Sequence, residues 1–434
     1  MKTVNVGIIG LGNVGKAVLE AILANGELIA KRAGVALAVK GVCDVDENAL
    51  AAVDEKKCPV KTASADDLIG DETIDVIVEL IGGISPAKEI ILKALKNKKH
   101  VVTANKALLS QHGKEILKAA AENGVSVNFE ASVGGAIPVI RALRESFIGN
   151  NFAVVYGILN GTTNFILTTM ARTGCTFDEA LVIAQAKGVA ERNPELDISG
   201  KDSAHKLAIL ALLGFGVHVA PDDIFTEGIS GIGPQDIEYA SRWGYSIKLL
   251  AIAKDTPGGL QLRVHPTLLP SAHLLSDVRD VDNAIFLKGD LVGESLLSGK
   301  GAGGRPTSSS VIGDIVDIAA RIAFSGSADG KPRNFEYAPD RKLSRIESLN
   351  MSYYLRFSVI DKPGVLAGIS SVLAENNISI ASVTQDERKE GETVPVMILT
   401  HEAEEGSLRK AIEKINKLDF ISDRTVVIRM EEEV

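Results

Sequence analysis

Val4-Asn-Val-Gly-Ile-Ile-Gly-Leu-Gly-Asn-Val-Gly15 decides the fold. Val4–Ile9 is a short, nearly continuous apolar run, the pattern of a strand buried on both faces of a parallel sheet. Gly10, Gly12 and Gly15 follow at once, and Lys16–Ala24 then has helical spacing. In that setting Gly10 permits a tight turn, Gly12 lets the backbone approach a pyrophosphate, and Gly15 allows a helix to pack closely on its strand. The free N–H groups around Asn13 and Val14 then open the helix towards the phosphates. A Gly-rich turn without a ligand is the competing reading; the strand before and the helix after favour the nucleotide.

Val35–Cys43 reads as the second strand and ends at Asp44. A carboxylate there accepts from a ribose 2′-hydroxyl and repels a 2′-phosphate, so NAD is favoured over NADP, with Lys40 as an offset. The gap from Gly15 to Asp44 is long, and an insertion around Asn25–Gly34 is expected to fill it. Further apolar runs at Asp75–Leu80, His100–Thr103 and Val125–Phe129 alternate with helical stretches at Pro86–Asn97 and Leu108–Asn123. Strand and helix taking turns imply α/β architecture: a Rossmann-like, doubly wound parallel sheet over residues 1–130.

The pattern changes near Glu130. Phe152–Leu159 and Arg263–Leu268 read as strands, with helices at Thr176–Lys187, Asp202–Leu213, Pro221–Thr226 and Ile237–Ala253. Gly289–Gly293 reads as another strand. This makes 131–304 an inserted α+β catalytic and dimerisation domain with a mixed sheet. The helix Ser308–Phe324 is expected to return the chain to the first domain, over about 305–325. Residues 325–349, rich in Gly, Pro and charge, read as a linker. A β-α-β-β-α-β pattern over 350–434 completes the chain, from strand Tyr353–Ile360 through Asp361-Lys-Pro-Gly364 to strand Asp423–Met430.

With 434 residues the chain has room for about three domains. A net charge of -9 argues against nucleic acid as a partner. Three scattered cysteines, Cys43, Cys58 and Cys175, fit a reducing compartment and exclude a Cys-rich zinc site. No apolar stretch reaches the length of a membrane span, and a cytoplasmic location is expected.

The richest chemistry lies in Glu191-Arg-Asn-Pro-Glu-Leu-Asp-Ile-Ser-Gly-Lys-Asp-Ser-Ala-His-Lys206. Glu191 and Asp197 fall in a loop, and Asp202 and Lys206 lie one turn apart on the helix that follows. Three carboxylates converging on one ammonium would hold an amino-acid head group beside a proton donor. The bland reading is a surface ion pair at i,i+4, with Glu191 and Asp197 serving as caps. Lys106, at the end of a strand, stands where a doubly wound sheet binds ligands, or else is a solvated lysine. His205 lies about 100° round the helix from Lys206 and is not expected to be catalytic.

Six ordered motifs together resemble homoserine dehydrogenase: Gly10–Gly15, Thr103-Ala-Asn-Lys106, Glu130-Ala-Ser-Val-Gly-Gly-Ala-Ile-Pro138, Asn160-Gly-Thr-Thr-Asn164, Glu191–Lys206 and Gly301-Ala-Gly-Gly-Arg-Pro-Thr307. The last module looks like an ACT domain, a ferredoxin-like amino-acid sensor. With no kinase region before the glycine motif, the chain resembles the monofunctional form. The resemblance implies interconversion of L-homoserine and L-aspartate 4-semialdehyde with NAD or NADP, on the route to threonine and methionine. It makes Lys206 the proton donor, oriented by Asp202, with Lys106 between cofactor and substrate. It makes Glu191 the ligand of the substrate amino group and Asp197 its support. It also implies a monovalent cation, sodium, on Glu130 and the carbonyls of Val133, Gly135 and Ile137. Gly303 is a cofactor contact, or else merely turns the chain. Asn160–Asn164 holds the substrate carboxylate, or supplies helix caps through Thr162 or Thr163. A homodimer or homotetramer and an amino-acid effector such as threonine are expected. The alternatives are a non-catalytic amino-acid sensor on a nucleotide fold, and a dehydrogenase for a related amino-acid semialdehyde.

Overall fold

The computed structural model describes residues 1–324, 341–386 and 390–432. Six parallel strands form the first sheet, in the order Val60–Thr62, Val35–Cys43, Lys2–Ile9, Val76–Glu79, His100–Thr103, Val127–Asn128. The order reverses between Lys2–Ile9 and Val76–Glu79, and ligands of such sheets bind outside the carboxyl ends at that switch point. Val6, Gly7, Ile8 and Ile9 are buried in succession, as a strand covered on both faces requires.

The first helix is longer than the sequence suggested. It runs Asn13–Ala33 and closes on Gly34, whose left-handed φ of 71° lets its N–H reach the Ala30 carbonyl. The expected insertion at 25–34 is therefore helix. The half before Gly26 is anchored by packing, with Val18, Leu19 and Ile22 buried in one cluster with Val311, Ile315 and Ile318. Those partners belong to Gly304–Phe324, which follows the second region in sequence yet packs on the first helix.

The second sheet has ten strands. Along its main path lie Gly293–Lys300, Asp282–Gly289, Phe152–Ile158, Tyr245–Thr256, Gly259–Pro270, Val426–Met430, Tyr353–Ile360, Thr393–Thr400 and Ile380–Thr384, with Phe225–Thr226 paired to Gly259–Pro270. Three sequence assignments fail here. Ile237–Ala253 is not one helix: Pro234–Arg242 is, and the chain then turns at Gly244 into the strand Tyr245–Thr256. Its apolar run is buried on both faces, which erases the alternation that marks a strand. Gly289–Gly293 is the turn of the hairpin between Asp282–Gly289 and Gly293–Lys300, not a strand. Pro221–Thr226 is a 3-10 turn, Pro221–Asp223, followed by the short strand Phe225–Thr226. The Asn160–Asn164 motif opens a further helix, Gly161–Thr173, whose span the sequence did not mark, because its threonines and glycine are weak helix formers.

The ACT strands continue this sheet. Val426–Met430 lies parallel to Gly259–Pro270, with Thr267 opposite Arg429 and Leu268 opposite Met430. Helices Val365–Glu375 and Glu405–Ile415 cover the ACT part, giving the ferredoxin-like arrangement. Residues 325–340 of the expected linker lie outside the described residues; beyond them, Lys342 and Ser344 bond to Leu260 of the catalytic sheet.

Candidate active site

The sheet's carboxyl edge gathers the first set of groups. Gly10 has φ 97°, and its N–H bonds to the Cys43 carbonyl at 2.8 Å. A Cβ on Gly10 would stand 2.7 Å from the Leu80 backbone, and one on Gly15 would stand 1.9 Å from the Gly10 carbonyl oxygen. Gly12 faces open space instead. The loop thus has no room for side chains where it packs, and bare backbone where a pyrophosphate would approach. Asn13 and Val14 open the helix, where N–H groups lack helical partners. This is a fit to a dinucleotide. Asp44 sits beside the loop and holds it: its carboxylate accepts from Leu11 N–H at 2.5 Å and from Asp46 N–H at 2.9 Å.

Two neighbours on the same edge carried no sequence assignment. Glu79, fully buried, accepts from the N–H groups of Ile81 and Gly82 and from the Thr103 hydroxyl at 2.7 Å. Asn105 caps the helix Lys106–Asn123 and donates to the Gly83 carbonyl at 2.6 Å. An acidic residue closing a buried apolar strand was the available signal for Glu79. Together they fix Lys106 at the first helical position, where the helix dipole disfavours a cation. A lysine held there against local preference suggests a use for its charge.

That use is visible across the domain boundary. Helix Lys106–Asn123 packs on helix Lys201–Phe215, and Lys106 Nζ lies 2.6 Å from Asp202 Oδ1. Asp202 Oδ2 takes a hydrogen bond from Lys206 Nζ at 2.6 Å, and Lys206 also donates to the Leu159 carbonyl at 2.5 Å. One carboxylate is therefore clamped by two ammonium groups. Asp202 is 2% exposed and Lys206 7%, whereas the Lys106 side chain is 37% exposed. Burial opposes charge on Asp202, but Lys206 and Lys106 overcome it and hold the carboxyl well below the usual range. Burial also lowers Lys206, and Asp202 restores only part of the loss.

Asn160 ties the loop to this centre. It caps helix Gly161–Thr173 through Thr163 N–H at 2.9 Å, and its amide donates to Asp197 at 2.6 Å and to Asp202 at 3.0 Å. The cap is thus Asn160, not Thr162 or Thr163. Asp197 joins the network through that amide. Glu191 stands apart: it is exposed, and its carbonyl, not its carboxylate, accepts from Gln185. The convergence of three carboxylates on one ammonium is replaced by one carboxylate between two ammoniums. His205 contacts Ser110 at 3.1 Å on another face of the helix.

The Glu130 loop leads from the last strand of the first sheet. Its carboxylate accepts from Ile140 and Arg141 N–H, each at 2.8 Å, and its own N–H donates to Asp314. The Ile137 carbonyl accepts from Val139 N–H. Gly135 abuts the Gly301 carbonyl, and Gly304 abuts the Asn13 carbonyl, so the 301–304 turn is wedged between the two domains. Gly303 has φ 111°, and a Cβ there would meet only Pro306. Among the described residues no cluster of three His, Cys, Asp or Glu side chains could hold a metal, and no helix is long and apolar enough to cross a membrane.

The comparisons converge on one family. The model for "Homoserine dehydrogenase, NAD binding domain" matches residues 10–130, that for "Homoserine dehydrogenase" matches 138–316, and the ACT domain model matches 353–420. Homoserine dehydrogenase of Pseudomonas aeruginosa is 43% identical over the full length of both chains. The crystal structure of a homoserine dehydrogenase from Thiobacillus denitrificans superposes with a TM-score of 0.92 at 41% identity, covering 100% of this chain and 99% of that one. A hyperthermophilic archaeal homoserine dehydrogenase in complex with NADPH aligns with a TM-score of 0.62 at 29% identity, covering 74% of this chain and 98% of its own. A nicotinamide-binding half, a lysine–aspartate–lysine centre at its carboxyl edge and an ACT module therefore occur together in a chain that belongs to the homoserine dehydrogenase family of oxidoreductases.

Proposed function

We propose that Lys206 is the group that gives and takes the proton as this enzyme interconverts L-aspartate 4-semialdehyde and L-homoserine. The observation that supports it is the Lys106–Asp202–Lys206 arrangement, in which a buried ammonium has two fixed acceptors and, with three N–H donors, one left over. The nicotinamide, when bound, would supply or accept the hydride. As the carbonyl becomes an alkoxide, Lys206 stabilises the charge and delivers a proton. Asp202 orients Lys206 and favours its charged form. Lys106, the more exposed of the pair, lies towards the cofactor edge and steers the substrate. Asp197 supports substrate binding, and Glu191 is assigned to the substrate amino group.

Asp44 favours NAD; because its carboxylate also holds Leu11 and Asp46, either cofactor is expected to turn over, with NAD ahead. A sodium ion on Glu130 and the carbonyls of Val133, Gly135 and Ile137 would brace the interdomain loop. With the Glu130 carboxylate already engaged by two N–H groups, the carbonyls would carry most of that binding. The ACT module reports an amino acid such as threonine, and the enzyme works as a homodimer or homotetramer in the cytoplasm, consistent with free Cys43, Cys58 and Cys175. The test is reduced-nicotinamide absorbance with L-homoserine and either NAD or NADP. Turnover is expected with both. Folded protein that binds a nucleotide but shows no turnover would move the assignment to a sensor or to a related semialdehyde.

A further inference from the structure

Asn283 is the second residue of strand Asp282–Gly289 and is 1% exposed, yet its side-chain Oδ1 has no hydrogen-bond partner among the described residues. Strand alternation puts it on the face of Ile285 and Leu287, which share one core with Ala204 and Leu207 of the Lys206 helix, while Ala284 and Phe286 point the other way. Ala284 lies opposite Ile158 and Asn283 opposite Gly299. Asn283 therefore stands one step past the end of the pairing with strand Phe152–Ile158, level with Leu159. Leu159 and Asn160 hold the reaction centre: the first accepts from Lys206 Nζ at 2.5 Å, and the second donates to Asp197 and Asp202.

The same amide accounts for two glycines. A Cβ on Gly301 would stand 2.1 Å from Cγ and Nδ2 of Asn283 and 2.5 Å from its Oδ1, so the amide lies flat over that residue. A Cβ on Gly161 would stand 3.5 Å from the same Oδ1 and 2.7 Å from the Val281 carbonyl oxygen. One side chain is thus wedged between the first residue of helix Gly161–Thr173 and the start of the 301–304 turn. That turn passes the contact on, because a Cβ on Gly304 would stand 2.7 Å from the Asn13 carbonyl oxygen, at the head of the nucleotide helix. The approach to Asn283 is fixed as well. The Asn164 amide donates to the Val278 and Asp282 carbonyls, each at 3.2 Å, and Asp280 N–H donates to the Thr168 hydroxyl at 3.1 Å.

A leucine has the same branched shape as an asparagine and would fill this gap without burying an acceptor that lacks a donor. An unpaired buried acceptor costs stability, and one held in so constrained a place points to a use. Donors stand close by. The first N–H groups of a helix have no acceptor within it, and in helix Gly161–Thr173 the Asn160 side chain takes that of Thr163.

We propose that Asn283 is a positioning residue for hydride transfer. Its amide sets the spacing between the loop that holds Lys206 and the turn beside the nucleotide helix, and its Oδ1 takes an N–H at the start of helix Gly161–Thr173 when turn and helix close on bound substrate. The proposal rests on the reading of Lys206 as the proton donor, and adds the residue that sets how far the donor stands from the cofactor side. A misplacement of about an ångström is enough to slow such a reaction about a hundredfold.

The test uses the full-length enzyme with L-homoserine deuterated at C4, the carbon that gives up the hydride, and reads kcat, KM and the isotope effect on kcat. Asn283→Leu keeps the shape and removes the acceptor. It is expected to melt no lower than wild type and to bind nucleotide and homoserine nearly as well, yet to lose about tenfold to a hundredfold in kcat with a larger isotope effect. Asn283→Ala, measured beside it should the leucine variant not fold, is expected to lose as much kcat at a lower melting temperature. Either variant with the kcat and isotope effect of wild type would overturn the positioning role and leave Lys206 untouched as donor. A loss of kcat with no rise in the isotope effect would overturn it too, because a side chain that only supports the fold changes the amount of active enzyme and not the hydride step. Wild-type kcat in Lys206→Ala would overturn the donor reading, and the spacing argument with it.

Discussion

Asp202 and Glu405 are buried carboxylates of the same design, each clamped by two cations. Asp202 lies between Lys106 and Lys206, and Glu405 between Arg409 and Arg429. Both are nearly sealed from solvent, at 2% and 1% exposure. The cations differ, and the difference separates their tasks. A lysine ammonium buried beside a carboxylate shifts and can release its proton; a guanidinium stays charged at every accessible pH. Accordingly Lys206 is lowered by burial, whereas Arg429 is raised, its burial outweighed by Glu405 and Glu227. One clamp is suited to moving a proton, the other to holding two domains in register.

The sharpest way to break the comparison is to exchange the cations. Lys206→Ala is expected to lower kcat about a hundredfold to ten-thousandfold while fluorescence titration shows nucleotide binding intact. Lys206→Arg should be almost as slow, because charge is kept and the transferable proton is lost. An active arginine variant would show that Lys206 acts by charge alone.

Glu405→Ala attacks the other clamp. It leaves Arg429 buried with only Glu227 opposite, and removal of one partner from a buried pair costs about 3–5 kcal/mol. Chemical denaturation should show this as a lower midpoint, while kcat of the remaining folded enzyme stays near wild type. A midpoint unchanged from wild type would mean the arginines find water at no cost.

The two clamps should also part company with pH. With Lys206 as the proposed proton donor in the direction of reduction, activity is expected to fall on the alkaline side from below the ordinary lysine value of 10.5. Asp202→Asn removes the charge that raises Lys206, and should move that limb to lower pH; a limb that stays put belongs to another group. The arginine clamp does not titrate there, so its own contribution to stability should be constant across the same alkaline range. On the acid side both clamps respond alike. Asp202 and Glu405 are held below their ordinary 3.8 and 4.5, so the unfolded chain takes up protons first. Their stabilisation is complete above those values and is lost as pH falls through the lower folded ones.

The smallest expected effect falls on Glu191. Glu191→Ala should raise KM for homoserine with little change in kcat or in cofactor KM, because the carboxylate stands on an exposed loop outside both clamps. A change confined to cofactor KM would argue against substrate contact.

How much of this was legible followed from whether the determinant was local. Gly10, Gly12 and Gly15 could be read because a backbone needing left-handed φ or close approach tolerates nothing else, and the strand and helix flanking them are adjacent in sequence. Asp202 and Lys206 were legible by their one-turn spacing. That Lys106 completes their clamp was not, since the contact is made by two helices packing across a domain boundary. Tyr245–Thr256 was mistaken for helix because a strand buried on both faces shows no alternation. Glu79 and Asn105 act by bonding to loop backbone, which leaves little trace in residue spacing. The arginine clamp was invisible for the same reason as the lysine one: Glu227, Glu405 and Arg429 come from three separate elements.

The parallel pairing of Thr267 and Leu268 with Arg429 and Met430 has a consequence for anyone who would shorten the chain. The ACT module is not a bead on a string but the other half of a shared sheet. Cutting it away would bare the rim of Gly259–Pro270, a template for edge-to-edge aggregation. It would also strand the Arg263 guanidinium, 2% exposed, without Glu431, and leave the Tyr156 hydroxyl without its acceptor. Here the ACT appendage acts as a gasket, and an insoluble truncated enzyme would testify to a lost seal before it said anything about a lost signal.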